Sequence, residues 1–314
     1  QHRGRLKWLK ARLSDLLPVP YYHVVFTLPH DLNDLCRHNK RLVYDLFIKS
    51  CAATLQTFGR DERHLGGELG IITILHTWGS NLSYHVHVHA IVTGGGLSAD
   101  GQRWKGLPYH EKFLFPVHGL SRMLRGKVLF GLQQAFDEGQ LKLPGDLRQY
   151  DNPGSFSVLM SALFGKEWVT YSKPPFSGGE AVLKYLGRYT HRVAISNDRI
   201  ETVDEQSVSF GYKDYRNGGK RSQMKLSGVE FIRRFLQHVL PRGFKRIRHY
   251  GILGSAYRKA LLERIRELLG ERVRSAEAAL AEIDAKLKMR CPGCKEGVLT
   301  FVAFISKRYL LANF

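Results

Sequence analysis

The chain has 314 residues, 43% of them hydrophobic, and 48 Lys and Arg against 28 Asp and Glu, a formal net charge of +20. The apolar fraction is enough to close a core and excludes a disordered basic tail, while the charge points to a polyanionic partner, nucleic acid first. No apolar run approaches the roughly 18 residues of a membrane span, no secretory signal is expected, and four cysteines over this length do not suggest a disulfide framework, so a reducing cytoplasm is expected.

Residues 1–18 have the pattern of a basic amphipathic helix stopped by Pro18 and Pro20, expected to continue a longer protein because no Met precedes it. Tyr21 to Pro29 reads as a strand ended by proline, and Asp31 to about Phe58 as a helix with Asp31 or Asn33 at its start. Gly70–Trp78 and the run SYHVHVHAIVTGGG (Ser83–Gly96) form an expected antiparallel hairpin, with Gly94–Gly96 ending its second strand. Helical spacing follows at about Leu120–Glu138 and Gly154–Phe164, then a strand at Glu167–Ser172 and a break at KPPFSGG. EAVLKYLGRYTH (Glu180–His191) has helical spacing, and VAIS, RIETV, SVSFGY and SQMKLS are strand-like. GVEFIRRFLQHVL is a helix ended by Pro241, GFKRIRHYGIL a basic strand or loop, and Ser255 to about Lys288 helical. The mixture predicts an α+β fold, an antiparallel central sheet with flanking helices and smaller β elements. Four regions are expected: 1–20, a core over 21–226 with a helical insertion at about 113–165, a basic helical region over 227–290, and a tail over 291–314.

Residues two apart on a strand share a face. His85, His87 and His89 therefore point one way and Val86, Val88 and Ala90 the other, into a core. Imidazoles about 7 Å apart on a rigid strand can converge on one divalent cation, and His76 on the preceding strand offers a further nitrogen. The plainer alternative is a polar strand face with histidines bonded to carbonyls. Tyr185 and Tyr189 lie one helical turn apart. A tyrosine hydroxyl can attack phosphorus, assisted by a metal that polarises the phosphate; the alternative is a tyrosine pair that simply packs. Lys184, Arg188 and Arg192 around the pair suit a phosphate.

The segments LLPVPYYHVVFTLPHDLN, ITILHTWGSNLSYHVHVHAIVTGGGLS, KPPFSGGEAVLKYLGRYTHRVAISNDRI, YKDYRNGG and FIRRFLQHVLPRGFKRIRHYGIL resemble the two-tyrosine HUH transposases of bacterial insertion sequences, over about residues 16–255. His87-Val88-His89 matches the His-hydrophobic-His signature. The resemblance implies an HUH endonuclease-like fold and Mg²⁺ or Mn²⁺ held by His87 and His89, with His85 or His76 as third ligand. It implies Tyr185 and Tyr189 as nucleophiles that nick single-stranded or hairpin-ended DNA, leaving a 5′-phosphotyrosine and a free 3′-hydroxyl, with no small-molecule cofactor. The chain departs from the family pattern at Ser80, where a Gln is usual, and at Val86, where a Pro is usual. A cysteine-rich zinc-binding segment is expected ahead of Gln1. The rivals are a plasmid replication initiator or relaxase, and a non-catalytic basic nucleic-acid-binding protein with a structural zinc on the histidines.

Two further signals stand apart. Cys291 and Cys294 form a CxxC half-site for zinc that needs two more ligands from outside this chain. Arg233, Arg234, Arg242, Lys245, Arg246 and Arg248 are read as a phosphate-contacting surface, with aromatics near it and in the Trp104–Tyr109 loop available to stack on unpaired bases.

Overall fold

The computed structural model describes residues 15–107, 113–176, 182, 185, 193–214, 217–254, 256–270, 293–294 and 296–297. Contacts divide the chain into one unit over Gln1–Glu271 and another over Arg272–Phe314. The expected basic N-terminal helix falls almost wholly outside the described residues, as does most of the expected helix over 180–191.

The fold is α+β. Its central sheet runs β5 (Thr170–Phe176), β1 (Tyr21–Thr27), β3 (Tyr84–Leu97), β2 (Glu68–Trp78) and β9 (Ile247–Gly251), with the short β4 (Trp104–Gly106) on the end of β3. Every pairing is antiparallel. These strands are rich in β-branched and aromatic residues, which fit a pleated, half-buried surface, and β3 shows the expected alternation, Tyr84, Val86 and Val88 buried between half-buried histidines.

On one face, Val24, Phe26, Ile71, Leu75, Val86, Val88 and Ala90 pack in a single core with α2 (Lys40–Arg60) and α3 (Val117–Asp137). The helices present Val43, Phe47, Cys51 and Leu55, and Leu120, Leu124, Val128 and Leu132, each set four residues apart and so on one stripe. Each fully buried large side chain there contributes about 1.5–3 kcal/mol. The opposite face carries a smaller core of Tyr21, Ile72, Ile74 and Ile91, covered by Val182, Ile252 and, from α6 (Arg258–Leu268), Leu262 and Ile265. That core stops partway along the strands, and the histidines occupy the rest of the face.

A second sheet, β6 (Ile200–Val203), β7 (Ser207–Asp214) and β8 (Lys220–Ser227), packs with α5 (Gly228–Gln237) around Trp78, Leu82 and Phe210. The Ser227 side chain accepts from the Glu230 N–H and caps α5. This sheet is tied to the β2–β3 turn: Ser80 Oγ donates to the Lys213 carbonyl and Arg199 to the Ser80 carbonyl.

Several expectations need adjustment. The helix foreseen over Asp31–Phe58 is a 3₁₀ turn (His30–Leu32), α1 (Asn33–His38) and α2, separated at Asn39, whose amide donates to the carbonyls of Leu35 and Lys142. Neither Asp31 nor Asn33 acts as a side-chain cap. Gly94–Gly96 do not end β3, which runs on to Leu97. They let another chain segment approach: a Cβ on Gly96 would lie 2.7 Å from the Gly67 backbone. β5 includes the KPPF segment instead of ending before it, which an edge strand tolerates because its outer N–H groups need no partner. VAIS is not a strand; Ala194 has φ 55° and is buried in the third core. GFKRIRHYGIL resolves as a strand, since Ile247–Gly251 pairs with β2.

Candidate active site

Strand register assembles the site. His87 lies opposite His76 on β2 and Thr27 on β1, and His89 opposite Ile74 and Val25. His23, two positions from Val25, therefore lies on the same face, diagonal to His89. One nitrogen from each of His76, His87 and His89 falls within 4.8 Å of the others. Their ring centroids are 4.4 Å (His76–His89), 4.9 Å (His87–His89) and 5.3 Å (His76–His87) apart.

Burial makes three of the site's imidazoles, His23, His87 and His89, poor bases. It pushes His87 down to about 4 and His23 to about 3, and holds His89 well below the usual histidine range, with neighbouring rings and Lys173 adding smaller effects in the same direction. His23, His87 and His89 are thus neutral at pH 7, the form that carries a lone pair for a metal. His87 Nδ1 lies 2.9 Å from the His85 carbonyl. A carbonyl only accepts, so Nδ1 carries the proton and Nε2 the lone pair, as an outer partner of a ligand histidine arranges.

Tyr185 closes the site. Its hydroxyl is 2.8 Å from His89 Nδ1 and 3.1 Å from His23 Nε2, and those two nitrogens are 2.7 Å apart. Val182, one turn earlier and also helical, is fully buried in the core beneath. The Phe176 ring, 5.6 Å from that of Tyr185, walls one side.

The residues singled out in the sequence fare differently. His87 and His89 converge, and His76 joins them. His85 stands outside that trio: its ring faces His30, with nitrogens 3.2 Å apart, and it serves His87 through its carbonyl. Tyr189, Lys184, Arg188, Arg192 and Cys291 lie outside the described residues. Cys294 is exposed, its sulfur accepting from the Gly297 N–H. Arg233 and Arg234 both pair with Glu230, at 2.6 and 2.7 Å, and Arg248 pairs with Asp45. Arg246 is held over the Trp78 ring and its basicity is lowered by burial. The Arg242 and Lys245 carbonyls accept from Arg41 and Arg248.

His23 is a residue of this cluster that the sequence does not single out. Its signal is a lone polar side chain in the apolar run YYHVVFT, and its place beside His89 becomes visible only once β1 is known to pair with β3.

Residues 70–260 match the family model Y2_Tnp, described as "Putative transposase". The chain is 44% identical over 306 residues to "Putative transposase y4qJ" of Sinorhizobium fredii, an alignment spanning 95% of this chain and 76% of that protein. It is 30% identical over 266 residues to "Transposase for insertion sequence element IS801" of Pseudomonas savastanoi pv. phaseolicola, spanning 84% of this chain and 61% of that protein.

Proposed function

Because the chain belongs to the two-tyrosine HUH transposase family of insertion sequences, we propose that it nicks single-stranded DNA at element ends by attack of Tyr185 on a backbone phosphate. The observation that carries this reading is the Tyr185 hydroxyl 2.8 Å from His89, one of three histidines whose nitrogens converge closely enough to hold one metal ion.

The donor set fits a divalent ion. His76, His87 and His89 would hold it, and three imidazoles suit Mn²⁺ or another transition ion better than Mg²⁺, which prefers oxygen. When bound, such an ion supplies Lewis-acid polarisation of the phosphate.

The chain's own residues do the rest. Tyr185 is held by Val182 below and Phe176 beside it, so its oxygen is aimed at the histidine end of the sheet. As the Oη–P bond forms and the P–O3′ bond breaks, the phenolic proton is relayed through His23 Nε2, which Oη already touches and which is not among the ligands, and passes on from that weakly basic ring instead of staying there. The departing 3′-oxygen takes up a proton, the relayed one or one from solvent, and leaves as a free hydroxyl. The tyrosyl ester conserves the energy of the broken phosphodiester, so no nucleotide cofactor is consumed. Tyr189, one helical turn further by spacing alone, serves the second strand transfer. The rejoining of strands is of the rolling-circle type and takes place on cytoplasmic DNA. Among the described residues no helix is long and apolar enough to cross a membrane.

A structural zinc in a non-catalytic binding protein would have no use for a tyrosine hydroxyl at the cluster, which favours the catalytic reading. The test is a denaturing gel of the protein with labelled single-stranded DNA and Mn²⁺ or Mg²⁺. We expect a covalent protein–DNA band that is lost in the Tyr185→Phe, Tyr189→Phe double variant. A band that persists in that variant would identify a different nucleophile.

A further inference from the structure

β5 is an edge strand of the central sheet, and its Phe176 lies against Tyr185. The register places Lys173 opposite His23 and Tyr171 opposite Val25. Paired residues in an antiparallel ladder leave the sheet on the same side, so both side chains emerge on the histidine face. Continuing across the sheet, Tyr171, Val25 and His89 form one row. At about 4.8 Å per strand, Tyr171 stands about 10 Å from His89.

Both residues are presented to solvent. Tyr171 is 54% exposed, a large aromatic left uncovered next to a buried site. Lys173 is exposed, and among the described residues no ion pair or hydrogen bond holds its ammonium. Its charge is felt by both His23 and His89, whose protonation it opposes. The arginines of α5 and β9 contrast with it, since Arg233, Arg234 and Arg248 are each committed to a carboxylate. The residues after Lys173 are Pro174 and Pro175. They hold the strand stiff and remove backbone donors from the edge, so another β-strand is a poor occupant and recognition falls to side chains.

We propose that Tyr171 and Lys173 form the track along which the DNA strand reaches Tyr185, with the Lys173 ammonium on a backbone phosphate and the Tyr171 ring stacked on an unpaired base. This rests on the strand-cutting reading above and adds how the strand is held. A compact ammonium suits a phosphate as a point charge, and an aromatic face stacks on any base that is not already stacked in a duplex. The track therefore selects single-stranded over double-stranded DNA at the point of cutting.

The experiment measures fluorescence anisotropy of labelled oligo-thymidylate with the full chain, in chelator so that no metal contributes, over a range of salt. Lys173→Gln is expected to reduce the log–log salt slope by about 0.7, the loss of one phosphate contact on a single strand. Tyr171→Ala is expected to weaken binding on the order of tenfold at every salt concentration with the slope unchanged, and Tyr171→Phe to restore it. Unchanged thermal midpoints in all three variants show that the fold is intact. A wild-type slope in Lys173→Gln, or wild-type affinity in Tyr171→Ala, overturns the track. The covalent-adduct gel separates this from the strand-cutting reading. Adduct formation by variants that bind like wild type sinks the track alone, and altered binding without any wild-type adduct sinks the nucleophile alone.

Discussion

Two sets of polar residues stand out in the sequence, the histidines of β3 and the arginines between positions 233 and 248, and the fold treats them in opposite ways. His87 and His89 keep their shared face and acquire His76 and His23 from two other strands. Arg233, Arg234 and Arg248 instead take carboxylates from Glu230 and Asp45. A short side chain on a central strand cannot leave the direction that the pleat sets, so period-two spacing survives folding. A long, flexible cation at the surface swings to the nearest acid, and one lies three or four residues away on the same helix. Spacing is strong evidence for the first kind of residue and weak evidence for the second.

The largest effect that would break this contrast is at the histidines. His76→Ala, His87→Ala and His89→Ala are each expected to lower metal-dependent nicking about a thousandfold, the scale of several kcal/mol of lost charge stabilisation. His85→Ala should cost less than about tenfold, because its contribution to His87 comes from the main chain. Initial rates under Mn²⁺ titration measure both. An equal loss in all four variants would return His85 to the ligand set and dissolve the trio.

Much of this arrangement is legible in the amino-acid sequence. The β2–β3 hairpin, the inward valines and outward histidines of β3, and the helices over 117–137 and 153–165 follow from local period and composition. Which strands become neighbours is not a local property. His76 faces His87 because β2 and β3 form a hairpin with that register, whereas His23 reaches His89 across 66 residues of chain. Lys173 and Tyr171 are hidden in the same way, their roles set by β5 docking on β1. The arginine ion pairs escape notice for the opposite reason: Glu230 is local and visible, but charge counting gives no weight to an acid one turn away.

A second prediction sharpens the contrast with a buried histidine that belongs to neither set. His238, just past α5, shares a hydrogen bond with Thr77 Oγ1 at 3.3 Å and approaches the Leu82 carbonyl, with Lys40 as the nearby charge. Burial lowers it from 6.5 to about 4. The unfolded chain therefore takes up a proton first as pH falls. The stability His238 contributes is whole above pH 6.5, is lost on the way to about pH 4, and totals about 3 kcal/mol at most. Urea unfolding of metal-free protein should show this pH dependence, and His238→Gln should remove about one proton from its slope. Coincident slopes would mean that His238 is not held neutral in the fold.

The smallest expected effect concerns the arginines themselves. If their charge is already committed to Glu230, then Glu230→Gln releases two guanidiniums without adding any cation to the chain. The Glu230 N–H that Ser227 caps is untouched, so α5 should persist, losing only an acidic group from its first turn. Because exposed ion pairs hold little net stability, unfolding should change only slightly. The freed guanidiniums should instead register in DNA binding, as a modest gain in affinity for single-stranded DNA and a steeper salt dependence. Arg233→Gln in the otherwise unchanged protein should leave both nearly as they were, since that charge was not available to a phosphate. Anisotropy with the same oligo-thymidylate across a salt series resolves the two cases. A large loss of affinity in Arg233→Gln, with no gain in Glu230→Gln, would show that the α5 arginines contact DNA from within their ion pairs. The division between ordered histidines and committed arginines would then fail at its second half.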